Sequence, residues 1–359
     1  MERFEIVIAG GGLAAAKTAE AYRAAGGSGS VVVLGGEPHV PYHRPPLSKR
    51  ILRGEAEPDS AHVHPRAWYA ETGVDLRLAT AARALDPANR AVRTDGGDVG
   101  YERLVIATGA LPRELDGAVT LRTIDDSLAI RERAKAAGSA VLIGAGFIGC
   151  EVCASLCALD VEVTLVTGGR PLFGGFGSGD FSAYLYDLYC DRGAKVADRA
   201  PGGGFVVAGI GVEPATGWLD GSGIDVKDGV VVNERFETSL LDVYAVGDVA
   251  RFYDPLFGRD RRIEHWSNAN YQGTQLGKAL AGEDASYDTV SSFFTELFGT
   301  TFRVFGELRG ENSLEGAFEE GRAIVRYRED GKLVGALTSG LEDDEQDALK
   351  DEIRKAAGR

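Results

Sequence analysis

The chain of 359 residues is 44% hydrophobic and 26% charged, and it carries a formal net charge of −15. Its length suits two or three domains, and its composition is typical of globular proteins in water. The acidic charge argues against nucleic acid and against anionic membrane as partners, because both bind basic surfaces, and no stretch of about 18 apolar residues could span a bilayer.

The N-terminal stretch "FEIVIAGGGLAAAKTAEAYRAAGGSGSVVVLGGE" predicts a βαβ unit, with an apolar strand, a glycine turn, an alanine-rich helix and a second strand. Gly10 and Gly12 are the first two glycines of a G-x-G-x-x-G turn, and Ala15 replaces the third. That position requires only close packing of helix against strand. Such a turn lets a pyrophosphate approach the helix N-terminus, and Glu37 is the nearest acid that could hold a ribose.

The same pattern recurs about 135 residues later in "AVLIGAGFIGCEV" and "VEVTLV". Gly144, Gly146 and Gly149 complete a second fingerprint. Thr167 stands where an acidic residue would hold the ribose of NAD. Arg170 is either a binder of the 2′-phosphate of NADP or an arginine without that role. Two such units in one chain predict an enzyme that holds two dinucleotides.

Cys150, Cys153 and Cys157 lie along one stripe of the helix that comes after the second glycine turn. Three thiolates could begin a metal site, but a fourth ligand is not evident nearby, so the pattern favours packing in the core. Four cysteines do not make a disulfide framework in a chain of this size. With no signal segment before the first strand, the sequence predicts a cytoplasmic protein.

Seven motifs in order along the chain carry a family resemblance: "GGGLAAAKTAEA", "PYHRPPLSK", "LVIATGALPR", "VLIGAGFIGCE", "GIGVEP", "VYAVGDVARF" and "EHWSNANYQG". With them the chain resembles the FAD-dependent pyridine nucleotide oxidoreductases of the ferredoxin reductase type, which include putidaredoxin, rubredoxin and biphenyl dioxygenase ferredoxin reductases and are similar to apoptosis-inducing factor. The resemblance covers almost the whole chain, less strictly from "SFFTELFGTTFRVFGE" onward. It implies an α/β fold with two Rossmann-like dinucleotide-binding domains in a glutathione reductase-like arrangement, a small C-terminal α+β domain, and non-covalent FAD.

The resemblance also implies roles for four side chains near the flavin. Arg44 would help to hold FAD, and Lys49 would lie near the flavin N5, where an ammonium stabilises negative charge on the reduced ring. Lys49 would pair with Glu151, unless the two are simply exposed surface charges. Trp266 matches an aromatic residue beside the isoalloxazine ring, although a buried tryptophan is more often part of a core.

The resemblance implies that the remaining matched residues contact the two dinucleotides. For FAD they are Thr108, Gly109, Arg113, Gly247 and Asp248. Arg113 suits the pyrophosphate, whereas Asp248 would bind the ribityl chain and could also cap a helix. Gly211 would contact a nicotinamide nucleotide.

The nicotinamide domain departs from the family pattern. Ala215 replaces the asparagine of "G-x-x-P-N", and only "ADRAPGGG" separates Val196 from Phe205. The family's meander of three strands, each of about 5 residues, does not fit there, so we expect a trimmed second domain. The predicted domains are 1–115 with 233–287 for FAD, 116–232 for the reduced nicotinamide-type domain, and 288–359 for the C-terminal domain. In the last, Asp330 and Gly331 predict a β-hairpin turn, and the acidic end predicts a helix.

The leading hypothesis is an oxidoreductase that passes electrons from NAD(P)H through the flavin to an iron-sulfur protein or a small-molecule acceptor. No cysteine pair precedes Lys49, so electrons would leave the flavin directly. The alternatives are a nicotinamide-independent flavoenzyme acting on a small molecule, and a non-catalytic flavoprotein in which FAD is structural or regulates association. A homodimer is compatible with each. Arg259, Arg261 and Arg262 are the candidates for a basic docking patch, or else a solvated loop.

Overall fold

A computed structural model describes residues 1–358, which form two compact units. The first unit comprises Met1–His43, Ala61–Leu111 and Glu213–Thr289. The second comprises Arg44–Ser60, Pro112–Val212 and residues 290–358. In residues 1–358 no helix is both long and apolar enough to cross a membrane.

Strands and helices alternate along much of the chain. The strands are β1 (Glu2–Ala9), β2 (Val31–Leu34), β3 (Val74–Arg77), β4 (Ala82–Asp86), β5 (Ala91–Thr94), β6 (Gly97–Ile106), β7 (Ala110–Pro112), β8 (Val119–Thr120), β9 (Ser139–Ile143), β10 (Glu162–Val166), β11 (Lys195–Ala197), β12 (Phe205–Ala208), β13 (Val212–Pro214), β14 (Val230–Val232), β15 (Val243–Ala245), β16 (Ala250–Asp254), β17 (Arg259–Arg261), β18 (Ser292–Leu297), β19 (Thr300–Gly306), β20 (Glu311–Ala317), β21 (Arg322–Glu329) and β22 (Lys332–Ser339). The α-helices are α1 (Leu13–Ala24), α2 (Arg50–Arg53), α3 (Arg66–Glu71), α4 (Ile124–Ala137), α5 (Phe147–Cys157), α6 (Gly179–Asp191), α7 (Trp266–Leu280) and α8 (Asp343–Ala356).

The first unit is built on a seven-stranded sheet in the order β3-β2-β1-β6-β5-β4, with β15 also pairing with β6. Strands β3, β2, β1, β6 and β15 are parallel, whereas β4 and β5 add an antiparallel edge. The central strands are continuous apolar runs because both faces are covered, and Ile8, Val33 and Val105 are fully buried. The predicted βαβ unit is present here, which confirms the α/β class.

Helices α1 and α7 of the first unit pack closely because two glycines lie at their contact. A Cβ on Gly273 would lie 2.5 Å from the carbonyl oxygen of Ala14, and one on Gly277 would lie 2.4 Å from that of Thr18. Neither distance is compatible with a side chain. This contact sets the position of α7 against α1.

The second unit contains a parallel sheet in the order β11-β10-β9-β12-β8. Its central strands β9 and β10 pair in register from Ser139 with Glu162 to Ile143 with Val166. Residues 198–204 alone connect β11 to β12. Helix α5 leaves β9 through the second glycine turn, so the second βαβ unit predicted from sequence is also present.

The end of the chain adds a five-stranded antiparallel sheet to the second unit, in the order β18-β19-β22-β21-β20. Strands β21 and β22 form the predicted hairpin around Asp330 and Gly331, which have φ angles of 50° and 76°. Both residues of a two-residue turn of this kind require positive φ. The predicted acidic helix is α8, and a capping box between Glu342 and Glu345 begins it.

Candidate functional site

The first glycine turn lies between β1 and α1. Gly10 has φ +128°, and a Cβ there would lie 2.1 Å from the carbonyl oxygen of Ala107. Gly12 caps α1 without a side-chain hydrogen bond, and nothing lies within 4 Å of where its Cβ would stand. Ala15 is fully buried, as close helix packing requires. Because the first turn of a helix leaves amide N–H groups without intrahelical acceptors, this open cradle suits a phosphate group.

Further polar groups of the first unit come after β2 and β15. Glu37 comes after β2 and accepts a hydrogen bond from the hydroxyl of Tyr42, which orients its carboxylate. Beyond β15, the backbone N–H of Gly247 donates to Oε1 of Gln272 at 2.8 Å, and Asp248 comes next in the chain. The amide nitrogen of Gln272 is buried and has no hydrogen-bond partner among residues 1–358. A buried donor of this kind is expected where a polar ligand supplies the acceptor, so these residues fit FAD.

Trp266 begins α7 and is 37% exposed, so it is not the buried core tryptophan of the alternative interpretation. Its indole N–H donates to Nδ1 of His43 at 2.8 Å. Burial, reinforced by the charges of Lys17 and His64, lowers the pKa of His43, which keeps the accepting nitrogen unprotonated near neutral pH. Burial also lowers the pKa of His265 to about 4.

Thr108 and Gly109 are held by the backbone of Ala215. The Thr108 hydroxyl donates to the Ala215 carbonyl at 2.9 Å, and the Ala215 N–H donates to the Gly109 carbonyl at 3.0 Å. These contacts need no side chain at position 215, so the missing asparagine leaves them intact. In the second unit, the Arg113 N–H donates to the carbonyl of Gly211 at 2.9 Å.

A buried ion pair joins Lys49 to Glu151 in the second unit. Lys49 Nζ lies 2.6 Å from Oε2 of Glu151, and the two side chains are 8% and 7% exposed. The alternative of two exposed surface charges is therefore wrong. The segment that carries Lys49 is held in place, because the Arg44 guanidinium donates to the Arg122 carbonyl and the Ser127 hydroxyl donates to the Leu47 carbonyl at 2.7 Å.

Two further hydroxyls contact the Glu151 carboxylate, and sequence reasoning missed both. Ser48 donates to Oε2 at 2.5 Å, and Thr295 of β18 donates to Oε1 at 2.7 Å. Ser155, one turn after Glu151 on α5, donates in turn to the Ser48 carbonyl at 2.6 Å. Ser48 stands inside the "RPPLSK" motif and could have been singled out. Thr295 lies 144 residues from Glu151, in a stretch without a motif, and no local signal pointed to it.

The second glycine turn has the same steric requirements as the first. Gly144 has φ +132°, and a Cβ there would lie 2.2 Å from the Gly209 carbonyl oxygen. A Cβ on Gly149 would lie 2.1 Å from the carbonyl oxygen of Gly144. Gly146 caps α5 without a side-chain hydrogen bond and faces open space. This turn can also receive a pyrophosphate.

A cavity of about 500 Å³ opens beyond the carboxyl ends of β10 and β11. Thr167, Arg170, Tyr186 and Asp198 are among the residues that line it. Doubly wound sheets bind ligands at such strand ends, and this volume lies in the range of small-molecule sites. Asp198 is a carboxylate that sequence reasoning did not place here, because it comes after the neighbouring strand rather than after β10.

Two residues of the cysteine stripe, Cys150 and Cys153, are fully buried in the core, as predicted. The third, Cys157, is partly exposed. Burial raises the pKa of the Cys150 thiol. A hydrogen bond with Cys157, together with burial, raises the pKa of the Cys153 thiol. Within residues 1–358 no three His, Cys, Asp or Glu side chains are arranged to hold a metal ion.

Two of the three arginines predicted as a docking patch are paired with carboxylates. Arg261 pairs with Asp254 at 2.6 Å, and Arg262 pairs with Asp228 at 3.1 Å. Both arginine side chains are 12% exposed. These two arginines are thus neutralised within the first unit, whereas the third candidate, Arg259, is exposed at the start of β17.

Comparisons with known proteins agree with this geometry. The family model for pyridine nucleotide-disulphide oxidoreductases matches residues 4–196 and 202–273. The chain is 32% identical to the biphenyl dioxygenase system ferredoxin–NAD(+) reductase component of Paraburkholderia xenovorans strain LB400, over 93% of this chain and 89% of that protein. It is 30% identical to monodehydroascorbate reductase 3 of Arabidopsis thaliana, over 96% of this chain and 91% of that protein. The reductase in the crystal structure of the covalent putidaredoxin reductase–putidaredoxin complex is similar with a TM-score of 0.92 and 27% identity, over 99% of this chain and 93% of that one.

Proposed function

The chain belongs to the pyridine nucleotide-disulphide oxidoreductase family, and on this premise we propose that it passes electrons from NAD(P)H through FAD to a ferredoxin-like or other acceptor. Members of the family of the ferredoxin reductase type bind FAD and use NAD(P)H. The observation that carries the proposal for this chain is the buried pair of Lys49 and Glu151, because removing two charges from water is costly and contributes little to stability, which favours a functional role for the pair.

FAD, when bound, supplies the chemistry of accepting a hydride and releasing electrons one at a time. The residues that would hold it are Gly10, Gly12, Ala15, Glu37, Arg44, Thr108, Gly109, Arg113, Gly247 and Asp248. The open cradle at Gly12 and the unpartnered amide of Gln272 support this assignment.

Three side chains would tune the reaction. The Lys49 ammonium would stabilise negative charge developing on the reduced ring, and Glu151 would hold that ammonium in place. Because both are almost excluded from solvent, their electrostatic effect is stronger than that of a surface pair. Trp266, oriented by its hydrogen bond to His43, would shape one side of the flavin pocket.

We further propose that residues 1–115 and 233–287 serve FAD, that residues 116–232 form a trimmed nicotinamide-type domain, and that residues 288–359 form a C-terminal α+β domain. The short link of residues 198–204 between β11 and β12 supports the trimming, as does the interruption of the family match between residues 196 and 202. The nicotinamide nucleotide would bind along Gly144, Gly146, Gly149 and Gly211, with its adenosine end in the cavity beside Thr167.

The acceptor has two candidate classes. Similarity to ferredoxin–NAD(+) reductases favours an iron-sulfur protein, whereas similarity to a monodehydroascorbate reductase favours a small organic acceptor. The compensated arginines Arg261 and Arg262 favour the second class, because an acidic ferredoxin would approach a chain of charge −15 without their help.

An anaerobic stopped-flow titration of the purified holoprotein with NADH and with NADPH tests the proposal. We expect rapid, saturable bleaching of the flavin absorbance by at least one of them, and then reoxidation when an acceptor is added. Flavin that can be reduced photochemically, but that neither nucleotide bleaches at millimolar concentration, would contradict it. Lys195→Met, which removes an exposed lysine of the second unit, serves as a control with unchanged bleaching.

A further inference from the structure

The carboxylate of Glu151 has donors from two separate segments of the second unit. Ser48 and Lys49 both reach Oε2, at 2.5 and 2.6 Å, and come from the turn before α2. Thr295 reaches Oε1 at 2.7 Å and comes from β18. The two oxygens are therefore held from different directions, and the C-terminal sheet supplies the contact to Oε1.

Thr295 faces Glu151 because of the alternation of β18. Thr295 and Leu297 point to the buried side of the strand and are 1% and 0% exposed, whereas Phe294 points to the other side and is 39% exposed. Strand β18 pairs with β19 along its whole length, from Ser292 with Phe305 onward, so the position of Thr295 is set by the sheet and not by a loop.

We propose that Thr295 is a positioning residue for the flavin site: its hydroxyl holds the Glu151 carboxylate in the orientation that keeps Oε2 on Lys49. The proposal extends the proposed function and rests on it for the role of Lys49 beside the flavin. It makes the C-terminal sheet part of the machinery that tunes the redox site, although this sheet lies beyond residues 4–273, where the family match ends.

The physical basis is the cost of a buried, unsatisfied carboxylate oxygen. Without the Thr295 hydroxyl, Oε1 loses its donor although the Glu151 side chain is only 7% exposed. The carboxylate then gains by turning Oε1 toward the Ser48 hydroxyl, which moves Oε2 away from the Lys49 ammonium. A hydrogen bond to a charged group corresponds to a change of about tenfold to a hundredfold in an equilibrium constant.

Lysine acetylation of the holoprotein measures how well the ion pair with Glu151 protects the Lys49 amine. Sulfo-N-hydroxysuccinimide acetate modifies free amines, and mass spectrometry measures the modification of Lys49 relative to the exposed Lys135 in the same sample. In the wild type we expect Lys49 to be protected. In Thr295→Val, which keeps the shape and removes the hydroxyl, we expect its relative acetylation rate to rise about tenfold or more.

Two variants distinguish a positioning role of the Thr295 hydroxyl from a general loosening of the C-terminal sheet. Thr295→Ser keeps a hydroxyl and should restore protection of Lys49. Thr301→Val makes the same chemical change on β19 of the same sheet, where the residue pairs with Glu296, and should behave as wild type. If Thr295→Val does not accumulate as folded protein, Thr295→Ala takes its place with the same expectations.

The midpoint potential of the flavin gives a second readout that does not use nicotinamide. After photochemical reduction and equilibration with reference dyes, Thr295→Val should differ from wild type, and Thr301→Val should not. A failure of NAD(P)H to reduce the flavin would leave this test intact. Unchanged acetylation and potential in Thr295→Val, a Thr295→Ser variant that behaves like Thr295→Val, or an equal effect of Thr301→Val would overturn the proposal.

Discussion

Gly10 and Gly144 occupy equivalent places in the two units, with φ angles of +128° and +132° and a facing carbonyl oxygen that excludes a Cβ from both. The turns differ in the residues that the chain places after the next strand. After β2 the chain presents Glu37, held by Tyr42, whereas after β10 it presents Thr167 at the edge of a 500 Å³ cavity. The backbone of the two glycine turns, which would receive a pyrophosphate, is thus the same. The side chains at the two strand ends, which would select the rest of the ligand, differ.

This difference indicates how freely each site can change its ligand. In the first unit, the carboxylate at the strand end and the packed helices α1 and α7 suit one dinucleotide. In the second unit, the carboxylate has been replaced and the neighbouring Arg170 and Asp198 offer charges of both signs. With the nicotinamide nucleotide assigned to the second unit, as proposed, its selectivity is the property that substitutions at this strand end should alter most readily.

Gly10→Ala should have the largest effect, because it breaks the first turn. The new Cβ would lie 2.1 Å from a backbone oxygen at a φ that alanine rarely adopts, so we expect a loss of about 3 kcal/mol or more in the free energy of unfolding, and protein without FAD. Flavin absorbance and urea unfolding measure both. Gly96→Ala, whose Cβ would meet only Thr94 Oγ1 at 3.7 Å, is the control with bound FAD. A yellow, stable Gly10→Ala protein would contradict the account.

Lys49→Met should come next, since it leaves the Glu151 carboxylate buried without its charge partner. Removing one member of a buried pair lowers the free energy of unfolding by about 3 kcal/mol. Urea denaturation of the holoprotein measures the loss. Lys195→Met breaks the exposed pair with Glu162 in the same unit and should cost little. Equal losses in the two variants would show that burial of the pair has no energetic consequence. The double variant Lys49→Met with Glu151→Gln removes both charges and should recover most of the free energy of unfolding.

Thr167→Glu should give the end of β10 a carboxylate, as Glu37 gives one to the chain after β2. A carboxylate there accepts hydrogen bonds from both ribose hydroxyls and repels a 2′-phosphate, so we expect the ratio of kcat/KM for NADH over NADPH to rise about tenfold, equivalent to about 1.4 kcal/mol. Steady-state kinetics with both nucleotides measure this ratio. Arg170→Gln should shift the ratio in the same direction if Arg170 binds the phosphate. An unchanged ratio in Thr167→Glu would place the adenosine end of the nucleotide outside the cavity.

The smallest expected effect is a pH dependence from His265, which precedes Trp266. Its ring is enclosed by protein on most sides although part of the residue is accessible, and burial lowers its pKa from 6.5 to about 4. Because the unfolded chain takes up this proton near pH 6.5 and the folded protein only near pH 4, folded-state stability falls as the pH drops between these values. Because His265 is partly exposed, solvent screening reduces this effect, and we expect a contribution of about 1 kcal/mol to the free energy of unfolding.

Urea unfolding between about pH 4 and pH 7 tests this contribution, and His265→Gln should remove it from the pH profile. A His265→Gln profile parallel to that of wild type would assign the pH dependence to other groups. His265 caps the N-terminus of α7, whereas Gly12 takes the same position at α1 in the same unit, so α1 has no titratable cap.

The sequence predicted those features that depend on local pattern. Both glycine turns could be read from their spacing, and the hairpin at Asp330 and Gly331 from alternation and turn chemistry. The pairing of Lys49 with Glu151 was available only through the family resemblance, because the two residues are far apart in the chain. Thr295 and Asp198 were not predictable, since each reaches its site through a sheet register that no local pattern encodes.

The most direct test of the account compares flavin reduction by NADH and NADPH in wild type and in Gly144→Ala. A Cβ at Gly144, in the second glycine turn, would lie 2.2 Å from the carbonyl oxygen of Gly209. We expect that Gly144→Ala keeps its FAD and its photochemical reduction but loses rapid reduction by both nucleotides. Reduction of Gly144→Ala at the wild-type rate, or a wild type that neither nucleotide reduces, would contradict the assignment of one dinucleotide to each turn.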